Sequence, residues 1–181
     1  IKTAQDITET THPELDSKEI QISNTNQFLG IGGTDGTFLL ADLLTGTVQS
    51  SKFVHGQVRG ILFDDSDEFV YVGAGHDKAY KLNVSDGSLL WIGEIGSWPY
   101  VNGFQLSPDE TALAAGGKYG ELTLLDTSNA ETLWYHDLRD IVAWLDFSPD
   151  VEYLVAGGGG QYSTVMVDVS TGQKIWQIPM Y

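Results

Sequence analysis

The sequence predicts an all-β fold made of four repeated units, each a four-stranded antiparallel sheet. Three observations carry this prediction. A glycine recurs at intervals of 42 residues, at Gly33, Gly75, Gly117 and Gly159. A tryptophan lies late in each of the last three units, at Trp91, Trp134 and Trp176. Turn signals recur every 8 to 12 residues, with β-branched and aromatic residues between them, a pattern typical of antiparallel strands.

The third unit shows how the four strands are assigned. Its apolar runs are 101–107, 112–117, 121–126 and 132–138, and each run ends in a turn sequence such as Ser107-Pro108-Asp109. Four strands in about 42 residues is the spacing of a β-propeller blade. We therefore expect about sixteen strands, almost no helix, and a propeller of about four blades, either part of a ring or a ring completed by assembly.

The repeat also sets the expected boundaries. The four blades are predicted at residues 19–56, 57–97, 98–139 and 140–181, and residues 1–18 at an N-terminal extension or a strand of a preceding blade. The second strand of each unit is rich in glycine and alanine, which lets neighbouring sheets approach closely. Pairs such as Asp86-Gly87 and Thr171-Gly172 suit tight hairpin turns, because glycine tolerates positive φ.

Composition excludes several classes of function. The chain has 25 acidic and 9 basic residues and a net charge of -16, so its field repels nucleic acid and anionic lipid. No apolar run approaches the ~18 residues needed to cross a bilayer. Cysteine is absent, which removes disulfides, thiolate metal sites and cysteine nucleophiles. Acidity and the lack of cysteine favour an extracellular or periplasmic location.

The repeats resemble two known families. Phe147-Ser148-Pro149-Asp150 followed by Leu154-Val155-Ala156-Gly157-Gly158 is similar to the WD-repeat pattern, although Val167-Asp168 stands where that family has Trp-Asp. Asp168, Thr171-Gly172 and Trp176 are similar to the quinoprotein (pyrroloquinoline-quinone-like) repeat. In that family the resemblance implies that an Asp, a Thr-Gly turn and a later Trp dock one blade onto the next.

The quinoprotein resemblance leaves an enzyme as the alternative function. It implies a quinone-dependent dehydrogenase with a closed ring of more blades, a calcium ion, a catalytic carboxylate and an adjacent cysteine pair. That cysteine pair is impossible here. We therefore expect no enzymatic activity, no catalytic residue and no cofactor, and interpret the tryptophans as packing between blades.

Metal binding finds little support in the sequence. The four histidines, His12, His55, His76 and His136, form no paired spacing of the kind that zinc sites use. The acidic cluster Asp64-Asp65-Ser66-Asp67-Glu68 offers several oxygens for calcium but lacks the spaced calcium-loop pattern. We interpret it as a solvated turn.

The loops on one face of the predicted propeller form the candidate binding site. They are the connections from the fourth strand of one blade to the first of the next, and the turns between second and third strands. Aromatic and basic residues are enriched there, as they are in protein interfaces. The candidate residues are His55, Arg59, His76, Trp98, Tyr100, Asn102, Tyr119, Arg139 and Tyr162.

These observations predict a non-catalytic propeller module for protein–protein interaction or structural assembly. The alternative is a fragment of a larger quinoprotein-like or sensor propeller enzyme. The expected partner is another protein or a second copy of the chain, in a homodimeric ring or a filament, with neither nucleic acid nor membrane insertion. An open arc would leave two bare end faces, on which we expect Phe28, Leu39, Val165 and Trp176.

Overall fold

A computed structural model describes residues 16–96, 101–139, 141–158 and 164–178. Every regular element in these ranges is a β-strand, and the sixteen strands form four four-stranded sheets in which strands adjacent in the chain are neighbours. The predicted all-β propeller architecture of about four blades is confirmed. Sheet 1 contains β1 (Ser17–Ile22), β2 (Phe28–Gly33), β3 (Thr37–Asp42) and β4 (Val48–Phe53). Sheet 2 contains β5 (Val58–Phe63), β6 (Phe69–Ala74), β7 (Lys78–Asn83) and β8 (Leu89–Glu94).

The remaining strands complete two further sheets. Sheet 3 contains β9 (Val101–Leu106), β10 (Ala112–Gly117), β11 (Glu121–Asp126) and β12 (Thr132–Asp137). Sheet 4 contains β13 (Trp144–Phe147), β14 (Tyr153–Gly157), β15 (Thr164–Asp168) and β16 (Lys174–Ile178). Neighbouring strands within each sheet pair antiparallel.

Two details of the sequence-based register differ from the structure. The first sheet begins at Ser17, inside the segment predicted as an extension. Gly33 and Gly117 end their strands, whereas Gly75 follows β6, which ends at Ala74. The glycine recurrence is therefore one residue out of register in the second sheet, and Gly159 lies outside the described residues.

The chain divides into two compact units. The first contains the described residues up to Gly75 together with Ala79–Ile92, and the second contains His76–Lys78 and the described residues from Gly93 onward. In the first unit, Phe38 and Leu40 of sheet 1 share a buried core with Val72 and Leu82 of sheet 2. In the second, Ala114 and Leu124 of sheet 3 share a core with residues of sheet 4, namely Leu154, Ala156, Val165 and Val167.

Small residues on the second strands permit this packing. A Cβ atom on Gly32 would lie 2.3 Å from Cγ1 of Val58, and one on Gly116 would lie 2.3 Å from Cγ1 of Val142. Real Cβ atoms do not tolerate such distances, so a side chain at either position would push the next sheet away. The glycine-rich second strands predicted from the sequence thus bring consecutive sheets into contact within each unit.

A repeated hydrogen bond closes the turn between the first and second strands of each sheet. The side chain that begins the turn accepts from the backbone N–H five residues later. The four pairs are Ser23–Phe28, Asp64–Phe69, Ser107–Ala112 and Ser148–Tyr153, at 3.1, 2.7, 3.0 and 2.9 Å. Asp64 performs in the second sheet what serine performs in the other three.

The interpretation of the acidic cluster as a solvated turn was wrong for two of its members. Asp64 and Asp67 are only 5% and 7% exposed. Asp64 accepts a hydrogen bond from the Ser66 hydroxyl at 2.5 Å, in addition to the one from the Phe69 N–H. Asp67 accepts from the backbone N–H groups of Asn24 and Thr25, each at 2.9 Å. The buried carboxylates therefore close their own turn and join sheet 2 to sheet 1.

Trp134 joins sheet 3 to sheet 4, as the sequence predicts. Its Nε1 donates a 2.6 Å hydrogen bond to the carbonyl oxygen of Val169, in the turn after β15. Gly172 of the same turn lies against the indole ring, since a Cβ there would be 2.7 Å from Cδ2 of Trp134. The Thr171-Gly172 turn and the tryptophan of the preceding blade thus dock one sheet onto the next.

Three of the four residues expected on bare end faces are not exposed. Leu39 and Val165 are buried, and Phe28 packs against the core of the first unit. Trp176 is half-buried on the face of sheet 4 that is turned away from the core of the second unit, and this face also carries the exposed Trp144 and Ile178. Val165 lies one residue from Met166 of that face, and alternate residues of a strand point to opposite faces, so an assignment shifted by one residue reverses the face.

Candidate functional site

The two sets of loops chosen from the sequence are hydrogen-bonded to each other. In the first three sheets, a backbone N–H just after the fourth strand donates to a carbonyl of the turn between the second and third strands. The pairs are Val54 to Gly36, Ile95 to Asp77 and Leu138 to Gly120, at 2.8, 2.9 and 2.8 Å. These bonds fix the loop backbones, so that side chains on them are presented from a defined frame.

Two candidate residues lie in the first unit. His55 is exposed, and its backbone N–H donates to the Tyr80 hydroxyl at 3.0 Å. The His55 ring meets the Phe53 ring edge-on, with centroids 6.0 Å apart. Arg59 lies on β5 and is half-buried. The first unit therefore presents one exposed aromatic pair, Phe53 and His55, beside the loop after β4.

Four candidate residues lie in the second unit. Tyr119 is 53% exposed, its backbone N–H donates to Oε2 of Glu121 at 3.0 Å, and Lys118 Nζ lies 5.8 Å from its ring centroid. Arg139 is exposed, and its N–H donates to Oδ1 of Asp137 at 2.8 Å. His76 is exposed, whereas Asn102 on β9 is half-buried.

The candidate set is thus divided between the two units, with His55 and Arg59 in one and the other described residues in the second. Trp98, Tyr100 and Tyr162 lie outside the described residues. The binding site stays a prediction, carried by exposed side chains on loops whose backbones are hydrogen-bonded.

Sequence reasoning missed Phe53, the last residue of β4, which is 68% exposed beside these loops. Phe53 pairs with Thr37, and the residues in the matching place of sheets 2 and 3 are Glu94 and Asp137. An apolar residue where two other repeats have a carboxylate was the available signal. Exposed aromatic side chains are the ones that protein interfaces favour.

A groove in the second unit was also missed. It has a volume of about 280 Å³ and is lined by Glu94, Gly96, Thr123, Thr132 and Tyr135. Thr123 and Tyr135 are paired across β11 and β12. Burial raises the pKa of Tyr135, and the negative charges of Glu121 and Asp137 raise it further. The groove therefore combines an aromatic ring with a negative electrostatic field.

Several aspartates in the other turns have lowered pKa values for structural reasons. The hydroxyls of Ser170 and Thr171 and the Thr171 N–H lower the pKa of Asp168, and the Thr45 N–H and hydroxyl do the same for Asp42. In Asp109 and Asp150 the first cause is the hydroxyl of the serine two residues earlier. These carboxylates close hydrogen-bonded turns, which accounts for the shifts without a catalytic role.

Among the described residues, no three or more histidine or acidic side chains are grouped so that they could hold a metal ion. The same part of the chain contains no helix of the length and apolarity that crossing a bilayer requires.

The sheets, their glycine contacts and the tryptophan docking define a β-propeller repeat protein. The sequence pattern of the repeat family described as outer membrane protein assembly factor BamB matches residues 34–181, and the chain belongs to this family. The resemblance to quinoprotein and WD repeats is confirmed.

Curated relatives share part of the chain. It is 34% identical over 90 residues to the small ribosomal subunit protein RACK1 of Caenorhabditis elegans, covering 50% of this chain and 28% of that protein. It is 30% identical over 106 residues to MST50-interacting protein 11 of Pyricularia oryzae, covering 59% of this chain and 33% of that protein. The chain thus spans about a third of the length of these relatives.

Solved structures support the fold. A chain of Kuenenia stuttgartiensis hydrazine synthase superimposes with a TM-score of 0.78 at 19% identity, covering 96% of this chain and 52% of that chain. A chain of the mitotic checkpoint complex gives a TM-score of 0.82 at 17% identity, covering 93% and 52%. The chain spans about half of either structure, and at these identities the likeness concerns the fold.

Proposed function

We propose that this chain is a non-catalytic propeller module whose loops bind a protein partner. One observation carries the proposal: exposed aromatic side chains lie on or beside loops whose backbones are held by hydrogen bonds. These side chains are Phe53 and His55, whose rings are in contact, and Tyr119. Rigid aromatic groups give large contact areas with little loss of side-chain entropy on binding. Two relatives, one named as a ribosomal subunit protein and one as an interacting protein, support a role in association.

A peptide selection tests the proposal. A random peptide library displayed on phage is selected on the immobilised chain, and the enriched peptides are measured against three variants. Phe53→Ser and Tyr119→Ser remove exposed side chains of the loops, and Leu44→Ser removes an 89% exposed leucine from a turn between third and fourth strands. We expect binding to weaken about tenfold or more, or ~1.4 kcal/mol, in the loop variants.

The control separates loop binding from general adhesion. Leu44→Ser should leave the affinity unchanged, and all three substitutions should alter the free energy of unfolding by less than about 0.5 kcal/mol, as exposed sites do. Enriched peptides that bind the loop variants as tightly as the parent chain would contradict the proposal. So would a selection that enriches no peptide.

Self-association is the second candidate, and the exposed face of sheet 4 favours it. Trp144 is 67% exposed and Ile178 is 55% exposed, with Val155, Met166 and Trp176 half-buried. Among the described residues, a Cβ on Gly157 would meet Thr164 Oγ1 alone, at 3.8 Å, whereas the matching Gly116 of sheet 3 lies against Val142. Sheet 4 thus has the same small residue that lets sheet 3 approach its neighbour, and no described residue packs against it there.

Light scattering on a size-exclusion column tests self-association. A second copy docked on this face gives a mass above 19.8 kDa that returns to the monomer value in Trp144→Lys. A monodisperse species of 19.8 kDa at every concentration would contradict this second candidate.

The alternative, a fragment of a quinone-dependent enzyme, predicts that the chain reduces a dye when quinone and calcium are added. We expect no such turnover.

A further inference from the structure

We propose that the groove beside β11 and β12 binds a basic side chain, an arginine or a lysine of a partner protein. The inference rests on the proposed function, because it names a site and a partner chemistry for the same module. One lining residue, Thr123, is smaller than its counterparts Leu39 and Tyr80 in sheets 1 and 2 and has a hydroxyl where Val165 of sheet 4 has a methyl group.

The groove lies beside Thr123. Each third strand ends in a polar residue, Asp42, Asn83, Asp126 or Asp168. The residue three positions earlier is Leu39, Tyr80, Thr123 or Val165, and each of the four is buried. Threonine has less volume than leucine or tyrosine, and it carries a hydroxyl where valine, of similar size, has a methyl group. The groove of about 280 Å³ in sheet 3 is therefore lined by a small side chain with a polar atom, at a position that leucine and tyrosine occupy in sheets 1 and 2.

The floor of the groove carries a hydroxyl that lacks a hydrogen-bond partner. Thr123 is 2% exposed, and its Oγ1 forms no hydrogen bond with any of the described residues. A buried polar atom in this state destabilises the fold, because it has lost its hydrogen bonds to water without gaining others. A ligand that donates a hydrogen bond to Oγ1 removes this cost, and so the hydroxyl marks the position of a donor group.

The charges around the groove select a cation. Glu94 lines it, and Gly96 lies so close to Glu121 that a Cβ on the glycine would be 3.4 Å from the Glu121 Cβ. Glu94 already pairs with Lys78, but its side chain is 72% exposed, and an exposed ion pair of this kind is weak. The chain as a whole carries a net charge of -16, which attracts a basic partner.

The shape and lining of the groove fit a long basic side chain. Tyr135 is 48% exposed, and cations bind over the faces of aromatic rings. Arginine and lysine combine an apolar stem with a charged hydrogen-bond donor, so the stem contacts Tyr135 while the head group reaches Thr123 and Glu94. A carboxylate would be repelled, and a purely apolar side chain would leave the Thr123 hydroxyl unpaired.

A titration of the isotope-labelled chain tests the site directly. N-acetyl-arginine amide is added to the ¹⁵N-labelled protein, and N-acetyl-norleucine amide, which has an apolar stem without the charge, is added in a parallel series. We expect saturable shifts of the Gly96, Thr123 and Tyr135 amides with the arginine compound. The norleucine compound should bind at least tenfold more weakly, and added salt should weaken the arginine complex. Equal binding of the two compounds would overturn the proposal.

Substitution at Thr123 provides a second readout. Thr123→Leu places in sheet 3 the residue that fills this position in sheet 1, so the melting temperature should rise by about 2–4 °C while arginine binding is lost. Thr123→Val keeps the space but removes the hydroxyl, and binding should weaken at least about threefold. A folded Thr123→Leu chain that binds the arginine compound as the parent does, or that melts lower, would overturn the proposal.

A Thr123→Leu chain that fails to fold still leaves a test of the site. In that case the affinity of Thr123→Val for the arginine compound decides whether the site exists, and an affinity equal to that of the parent chain overturns the proposal. Leu44→Ser serves as the control variant, because its leucine lies in an exposed turn of the first unit. Phage peptides that depend on Phe53 or Tyr119 while the arginine compound fails to bind would remove this site and leave the proposed function standing.

Discussion

The carboxylate of Asp67 accepts hydrogen bonds from both the backbone N–H and the hydroxyl of Thr25, which lies 42 residues earlier in the neighbouring sheet. The backbone bond measures 2.9 Å, and a second N–H, from Asn24, is also 2.9 Å away. Burial alone would raise the pKa of Asp67, but the hydrogen bonds from Thr25, Ser23 and Asn24 together hold it below its usual range. One side chain therefore joins the first turns of two blades.

Replacing Asp67 with asparagine should reduce the free energy of unfolding by about 1–3 kcal/mol at neutral pH, because a charged hydrogen-bond acceptor is lost. Asparagine is the appropriate substitution, since Asp67 has a φ of 56° and asparagine tolerates that backbone conformation. Urea unfolding followed by tryptophan fluorescence gives the difference. Asp65→Asn, at an exposed carboxylate of the same turn, serves as the control.

The same pair of proteins should show a defined pH dependence. The pKa of Asp67 is lower in the folded chain than the value of about 3.9 for an unfolded one, so its stabilising effect is complete above that value. The effect is lost as the pH falls through the lower, folded pKa. The difference in stability between the parent chain and Asp67→Asn should therefore be constant from neutral pH to about pH 5 and shrink below about pH 4. A difference that grows on acidification would contradict this account.

Trp134 should contribute to stability through both its ring and its hydrogen bond. Trp134→Phe removes the 2.6 Å bond to Val169 and should cost about 1 kcal/mol. Trp134→Ala also removes the ring that covers Gly172 and should cost about 3 kcal/mol. Trp144→Ala is the matched control, because that indole is 67% exposed and its removal should cost under about 0.5 kcal/mol. Equal losses at the two tryptophans would contradict the docking role.

Ala130 occupies a backbone position that favours glycine. Its φ is 63°, and the matching turn residues of the other sheets, Gly46, Gly87 and Gly172, have φ values of 67°, 67° and 69°. Because an L-residue costs about 1–2 kcal/mol in this region, Ala130→Gly should raise the free energy of unfolding by about 1 kcal/mol. Gly46→Ala is the reverse substitution and should lower it by a similar amount. Calorimetric melting of both variants measures the two effects. Melting temperatures that shift in the same direction in Ala130→Gly and Gly46→Ala would refute this prediction.

The sequence was sufficient for the strands because their signals are local and repeated four times. Turns such as Ser107-Pro108-Asp109, and the apolar run that follows, specify a hairpin within about ten residues. The role of Asp67 had no such signal, since its partners, Asn24 and Thr25, lie 43 and 42 residues earlier. An acidic turn looks the same in sequence whether its carboxylates face solvent or another blade.

The candidate site was predictable to a different extent. The loops that carry His55 and Tyr119 follow from the strand order, and the structure shows both residues exposed. The groove at Thr123 is found only when the four third strands are compared in register, because Leu39 and Tyr80 stand at the same position in sheets 1 and 2 and are larger. Counting aromatic and basic residues in loops finds binding surfaces but not spaces left by a small side chain.

The strand order has a consequence for how this chain folds. Each strand pairs only with its neighbour in sequence, so every sheet forms by closing a series of short hairpins. Each hairpin closes at little cost in loop-closure entropy, because its two strands are neighbours in the sequence. A blade is complete within about 40 residues of chain, and the first blades can therefore form while later ones are still being synthesised on the ribosome.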